Sequence, residues 1–128
     1  MPVDEPSLLL FVYGTLKRGE RNHRLLAGQE FVGDGLTAPR YRLYDRGHYP
    51  CLVEAPTDSE AVRGEIWRIE SRLFSVLDEL EGAPHLFKRT EIALSHFSDV
   101  VWGYLYQRDV RGMTRCGPCW KPAPSACR

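Results

Sequence analysis

Ser71-Arg72-Leu73-Phe74-Ser75-Val76-Leu77-Asp78-Glu79-Leu80-Glu81-Gly82 is the stretch where the hydrophobic period of this sequence changes. Leu73, Leu77 and Leu80 stand at helical spacing, Gly82 follows as a stop, and Pro84 comes two residues later. On both sides the pattern is that of strands. Upstream, Val62 to Ile69 alternates, with Val62, Gly64, Ile66 and Arg68 on one side and Arg63, Glu65, Trp67 and Ile69 on the other. Downstream, Lys88 to Leu94 and Val100 to Gln107 return to strand patterns. Further out, Ser7 to Tyr13 is continuous, apolar and β-leaning, and it ends at Gly14 as a buried strand meeting a turn. Asn22 is placed to cap a short helix carrying Leu25 and Leu26 that Gly28 ends. Phe31 to Leu36, Tyr41 to Tyr44 and Tyr49 to Val53 complete the set of short strands. Many short strands around one main helix give an α+β fold with a curved sheet or small barrel.

A chain of 128 residues suits a single domain, read here as residues 1–128 with an irregular Cys/Pro-rich tail at about 108–128. With 43% hydrophobic and 27% charged residues it has the balance of a soluble globular domain. Lys plus Arg is 17 and Asp plus Glu is 17, so the basic excess of a dedicated nucleic-acid binder is missing. The longest aliphatic-aromatic run, Leu8 to Tyr13, is far short of a membrane span. Met1-Pro2-Val3-Asp4-Glu5-Pro6 has acids where a secretory signal has basic residues, so a cytoplasmic location is expected. Oligomeric state is left open.

Within the helical stretch Glu81 falls four residues after Leu77 and seven after Phe74, on the flank of the apolar stripe. Asp78 and Glu79 point elsewhere and read as ordinary solvated acids. Glu81 is therefore an acid aimed towards the interior, in the last turn, where the helix dipole disfavours negative charge. Burial and dipole both raise a carboxyl pKa, which suits a group that takes and gives protons near neutral pH. The other reading of Glu81 is a frayed helix end facing water. At the far end of the first strand, Gly14 permits positive φ and close approach of a ligand, and successive free N–H groups after it form a concavity for an anion or oxyanion. Lys17, Arg18, Arg21 and Arg24 follow and read as a solvated face.

Together these segments resemble a known family. Val12-Tyr13-Gly14-Thr15-Leu16-Lys17-Arg18-Gly19-Glu20-Arg21-Asn22, followed by Leu25-Leu26, resembles the opening motif of the gamma-glutamylcyclotransferase-like superfamily. The nearest branch is the AIG2-like, gamma-glutamylamine cyclotransferase group. Tyr49-Pro50, Gly64-Glu65-Ile66-Trp67, Leu77 to Gly82 with Pro84, Phe87 and Arg89, and Trp102-Gly103-Tyr104 resemble its later motifs in order, over about residues 8–107. Phe87 stands where the family often has tyrosine, Cys51 where a small residue is usual, and after Gln107 only Trp120 offers a match.

The resemblance implies a small mixed β-barrel with one main helix and short flanking helices. It implies cyclisation of a gamma-glutamyl amine, amide or dipeptide to 5-oxoproline with release of the amine, and no cofactor or metal. The only partner it implies is the small-molecule gamma-glutamyl substrate, with no nucleic acid and no membrane. It assigns Glu81 as the catalytic general acid/base and Tyr13, Gly14, Thr15, Leu16, Pro50 and Tyr104 to substrate binding. For Tyr13 and Tyr104 core packing with a satisfied hydroxyl is an equal reading. Arg89 either pairs with an acid or faces solvent. Two rivals stand beside the enzyme: a non-catalytic small-molecule binding module on the same barrel, and a redox or metal protein run from the tail. Cys116-Gly117-Pro118-Cys119 has the letters of a redox motif, but Pro122 and Pro124 oppose the helix that motif needs. Zinc by Cys116, Cys119 and Cys127 lacks a fourth ligand, since none of His23, His48, His85 and His96 stands at ligand spacing.

Overall fold

The computed structural model describes residues 6–120. The readings placed on Met1 to Glu5 and on Cys127 lie outside the described residues. β1 (Ser7–Val12), β2 (Glu30–Leu36), β3 (Tyr41–Asp45), β4 (Pro50–Glu54) and β5 (Arg63–Glu70) precede α1 (Leu73–Glu81), and β6 (Phe87–Glu91), β7 (Val101–Tyr106) and β8 (Thr114–Arg115) follow it. A five-stranded sheet runs β2-β5-β1-β7-β6, and a three-stranded sheet runs β4-β3-β8. The architecture is mixed α+β with one main helix.

β1 occupies the middle of the large sheet because its apolar run tolerates burial on both faces. It pairs antiparallel with β5 from Ser7↔Glu70 to Val12↔Glu65, and parallel with β7 through Leu9↔Val101 and Leu10↔Trp102. Its side chains divide by parity. Leu10 and Val12 join Trp67, Ile69, Phe74 and Leu77 in one core cluster. Leu9, Phe11 and Tyr13 join Ile66, Leu43, Leu52 and Val101 in the other. The β3–β4 hairpin feeds both clusters, Tyr44 and Cys51 entering the first, Leu43 and Leu52 the second.

The expected barrel does not form. A barrel needs an unbroken ladder around its circumference. The edges β2 and β6 face each other across a single bridge, Thr37 with Leu94, carried by Ala38 N–H to Ala93 O at 2.9 Å and Ser95 N–H to Leu36 O at 2.8 Å. A register shift between Phe31 and Gly33 breaks β2, while β3, β4 and β8 form a separate sheet that shares no strand with the large one. Nor does a set of flanking helices appear among the described residues. One 3-10 turn, His23–Leu26, stands where the short helix was expected, and Asn22 donates to Thr15 Oγ1 at 3.0 Å instead of capping it.

The buried stripe of α1 is also rotated from the expected one. Phe74 and Leu77 are buried, Leu73 is half-buried, and Leu80 is 42% exposed. Gly82 ends the helix in the left-handed region at φ 66°, its N–H reaching the Asp78 and Glu79 carbonyls. The segment from Cys116, expected to be irregular or frayed, packs against the fold as far as it is described. Trp120 is buried and its carbonyl accepts from Lys17 Nζ at 2.9 Å, while Arg63 N–H donates to Pro118 O.

β5 can lie close to β1 because residue 64 has no side chain. A Cβ there would sit 2.6 Å from Phe11 Cζ and against the Val12 carbonyl oxygen. Gly64→Ala is expected to destabilise the fold by about 1–3 kcal/mol through overpacking. A urea titration should show a lower midpoint at unchanged m, and an unaltered midpoint would refute the close-approach argument.

Candidate active site

The strand β1 stops at Val12, and the chain then bends through Tyr13 to Leu16 at the mouth of a cleft. The carbonyls of this loop are taken: Lys17 N–H donates to Gly14 O at 3.1 Å, Asn22 N–H to Thr15 O at 2.9 Å, and His23 Nδ1 lies 2.9 Å from Leu16 O. The N–H groups of Gly14, Thr15 and Leu16 donate to no protein acceptor among the described residues. Gly14 does not use positive φ, contrary to expectation. What it needs is room for a proline, since a Cβ on it would stand 2.6 Å from Pro50 Cγ and 2.7 Å from Pro50 Cδ.

The loop is tied down from behind. Glu65, buried on β5, accepts Arg18 N–H at 3.0 Å, Arg18 Nε at 3.1 Å and Trp67 Nε1 at 3.1 Å. The Arg18 guanidinium lies 3.8 Å over the Phe31 ring. Lys17 is buried, and burial pulls its ammonium below the usual lysine range. Of the expected solvated basic face only Lys17 is withdrawn into the protein: Arg18, although tied to Glu65, is exposed, as are Arg21 and Arg24.

All seven residues singled out from the sequence line one cavity with about 360 Å³ of empty space, its open mouth included. They are Glu81, the loop Tyr13-Gly14-Thr15-Leu16, Pro50 and Tyr104. Phe11, Val12, Tyr49 and Phe87 complete the wall. Phe87 meets Tyr49 edge-on at 5.8 Å and Tyr106 at 5.3 Å, which fixes the aromatic side of the cavity.

Glu81 is the one carboxyl in this lining. It follows Phe74 and Leu77 along the buried stripe, so the helix that packs the core also delivers an acid to it. Among the described residues it has no ion-pair partner. Burial pushes its pKa up to about 7. Its titratable neighbours, Tyr13, Cys51 and Tyr104, are themselves pushed upward by burial, the Cys51 thiol to about 12, so each is neutral near pH 7.

Both readings of the tyrosines hold in part. They line the cavity, yet their hydroxyls are spent on the protein. Tyr13 Oη donates to the Tyr104 carbonyl at 2.5 Å, and Tyr104 Oη donates to Asp78 Oδ1 at 2.6 Å. Asp78 is thus not the ordinary solvated acid expected. It also accepts from Arg89, at 3.1 Å from both Nε and Nη2, which gives Arg89 its acid partner. Asp78 and Arg89 meet because β6 and β7 pair with Arg89 opposite Tyr104, a register that no local pattern announces.

The tail offers no competing site among the described residues. Cys116 is a free thiol that burial pushes up to about 11, while Cys119 is disulfide-bonded, so the two are not joined as a redox pair. No group of three or more His, Cys, Asp or Glu is gathered to hold a metal ion among the described residues. No helix of the described residues is long and apolar enough to cross a membrane.

Comparison with known proteins agrees with this arrangement. The family model for gamma-glutamyl cyclotransferase, AIG2-like proteins matches residues 10–121. A putative gamma-glutamylcyclotransferase of Vibrio cholerae is 39% identical over 103 residues, 80% of this chain and 85% of that protein. The gamma-glutamylaminecyclotransferase of Homo sapiens is 36% identical over 98 residues, 71% of this chain but only 64% of that enzyme, less than two thirds of its length. The crystal structure of an AIG2-like protein from Mus musculus superposes with a TM-score of 0.75 at 24% identity, covering 93% of this chain and 92% of that one, which is a likeness of fold. By the extent of the family match and the identity of these relatives, the chain belongs to the gamma-glutamyl cyclotransferase, AIG2-like family of enzymes.

Proposed function

We propose that this protein is a single-domain, cofactor-independent cytoplasmic enzyme that converts a gamma-glutamyl amine, amide or dipeptide to 5-oxoproline and the free amine. The observation that carries the reading is the meeting in one cavity of an unpaired, desolvated Glu81 and the unspent N–H groups of Gly14, Thr15 and Leu16. The N–H groups hold the glutamyl end, through its carboxylate or the developing oxyanion. The Glu81 carboxylate takes a proton from the substrate's α-amino group. The amine nitrogen bonds to the γ-carbonyl carbon and closes a five-membered ring. Collapse of the tetrahedral species breaks the bond to the leaving nitrogen, and Glu81 returns the proton to it. One C–N bond forms, one breaks, and no water is consumed. Attack within one molecule asks the enzyme to orient the chain and move protons, so no protein nucleophile is required.

A carboxyl with a pKa of about 7 is half carboxylate near neutral pH, which suits a group that acts as base and then as acid. Tyr13, Pro50 and Tyr104 shape the wall on this reading, and Tyr49 and Phe87 join them. The leaving amine faces a surface built from aromatic rings and Pro50.

The deciding assay is 5-oxoproline release from gamma-glutamyl amines, gamma-glutamyl dipeptides, the gamma-glutamyl-ε-lysine linkage and glutathione. Wild type should turn over at least one class, and Glu81→Gln should lose about 10²–10⁴-fold in kcat. Turnover undiminished in that variant would remove Glu81 from the mechanism. Silence of folded wild type across the panel would move the reading to a binding module. In the active enzyme kcat/KM should fall as pH drops below about 7, and this limb should vanish in Glu81→Gln.

The same carboxyl makes a prediction about stability. The folded chain holds the Glu81 proton up to about pH 7, whereas the unfolded chain releases it near 4.5. Folding is therefore penalised as pH rises through that window, and the penalty is complete above it. Glu81→Gln should raise Tm by roughly 10 °C at pH 8 and by little at pH 4.5. An equal shift at both pH values would contradict desolvation as the cause.

A further inference from the structure

Asp78 stands one helical turn before Glu81 but opens on a different space. It lines an adjoining cleft with Arg89 and Trp102, outside the cavity that holds Glu81. Its two oxygens are occupied from two strands, by Tyr104 Oη from β7 and by the Arg89 guanidinium from β6. Arg89 is held in turn, with its guanidinium carbon 4.2 Å over the Phe74 ring. Tyr104 is fixed at its other end by the Tyr13 hydroxyl on its carbonyl.

We propose that Asp78 is a positioning residue that makes the Tyr104 hydroxyl a hydrogen-bond acceptor for the amine of the substrate. The argument rests on the cyclotransferase reading and on the chemistry of a phenol. A phenol carries one hydrogen, and here a carboxylate holds it at 2.6 Å. What remains for a ligand in the cavity is a lone pair. A lone pair there admits an N–H, whether of the attacking α-amine or of the departing amine, and turns away a carbonyl or carboxylate oxygen. Donation to a charged acceptor also makes the phenol oxygen more electron-rich, which strengthens the bond it accepts. Arg89 is the clamp that keeps the Asp78 oxygens facing Tyr104.

Asparagine at position 78 keeps the shape but can present an amide N–H₂ to Tyr104, which frees the phenol hydrogen to turn into the cavity. Asp78→Asn should therefore lower kcat/KM about tenfold or more on the amine that wild type uses best, as should Tyr104→Phe. The double variant should be no worse than Tyr104→Phe alone, because both changes remove one function. Asp78→Glu, which restores a carboxylate, should recover part of the loss. The carbon-13 shift of Cζ-labelled Tyr104 at neutral pH reads the bond without turnover, and it should move in Asp78→Asn and return towards the wild-type value in Asp78→Glu. Losses that multiply in the double variant, or a Tyr104 signal unmoved by Asp78→Asn, would overturn the proposal and leave Glu81 chemistry standing. An inactive wild type would overturn the cyclotransferase reading and this proposal with it.

Discussion

The structure depends on burial of β1 on both of its faces. A strand with water on one side alternates, and this one does not, because Leu10 and Val12 serve one core cluster while Leu9 and Phe11 serve the other. Its two neighbours are held at sheet distance, β5 antiparallel along its whole length and β7 parallel at Leu9 and Leu10. The consequence for the site is a matter of where the pairing ends. The β1–β5 ladder runs to Val12, and the residues just beyond it inherit the position of a central strand without its hydrogen bonds. Gly14, Thr15 and Leu16 therefore line a cavity walled largely by apolar side chains, with N–H groups that no protein acceptor takes among the described residues. Unspent donors in dry surroundings strongly favour a ligand that can accept from them.

The helix answers from the opposite side with the same economy. Phe74 and Leu77 anchor α1 to the first core cluster, and the next position on that stripe is Glu81. A leucine there would add apolar contact. Glutamate instead accepts a desolvation cost with no cation to offset it, which is how its pKa reaches about 7. Asp78, three residues earlier, has the opposite arrangement, with Arg89 on both oxygens. One turn of helix thus carries a paired acid that holds structure and an unpaired acid exposed to chemistry. Local destabilisation of this kind belongs to sites where a strained or desolvated group is needed for function.

Much of this was legible because local rules and tertiary demands coincide. The run ending at Tyr13, the change of period at Ser71 and the stop at Gly82 mark β1, α1 and the end of the helix. Seven of the residues lining the cavity are legible through the family resemblance, whose motifs lie far apart in sequence, whereas Phe11, Val12, Tyr49 and Phe87 join the wall only through the fold. The misreadings share a cause as well. Leu80 looked buried because leucine at helical spacing usually is, but the docked face is set by what the helix meets, and it meets the sheet through Phe74 and Leu77. Asp78 looked solvated because its partners lie on β6 and β7, and only the pairing of Arg89 with Tyr104 brings them to it. The barrel failed for a similar reason: closure is decided by the edges β2 and β6, and a shifted register in one strand is invisible to composition.

The departures from the family pattern are informative in the same physical terms. Phe87, which replaces a common tyrosine, packs edge-on between Tyr49 and Tyr106 and is buried. A hydroxyl there would need a partner in a wall that offers rings, so phenylalanine removes that polar demand and leaves Glu81 as the one carboxyl in the lining. Cys51 fills its site as a small buried hydrophobe, with a thiol too weakly acidic to compete for protons. With tyrosines and thiol held neutral around it, Glu81 titrates without a competing charge at close range. On the proposed mechanism proton transfer in this cavity is concentrated on Glu81, and the residues that surround it act by shape, by hydrogen-bond polarity and by excluding water.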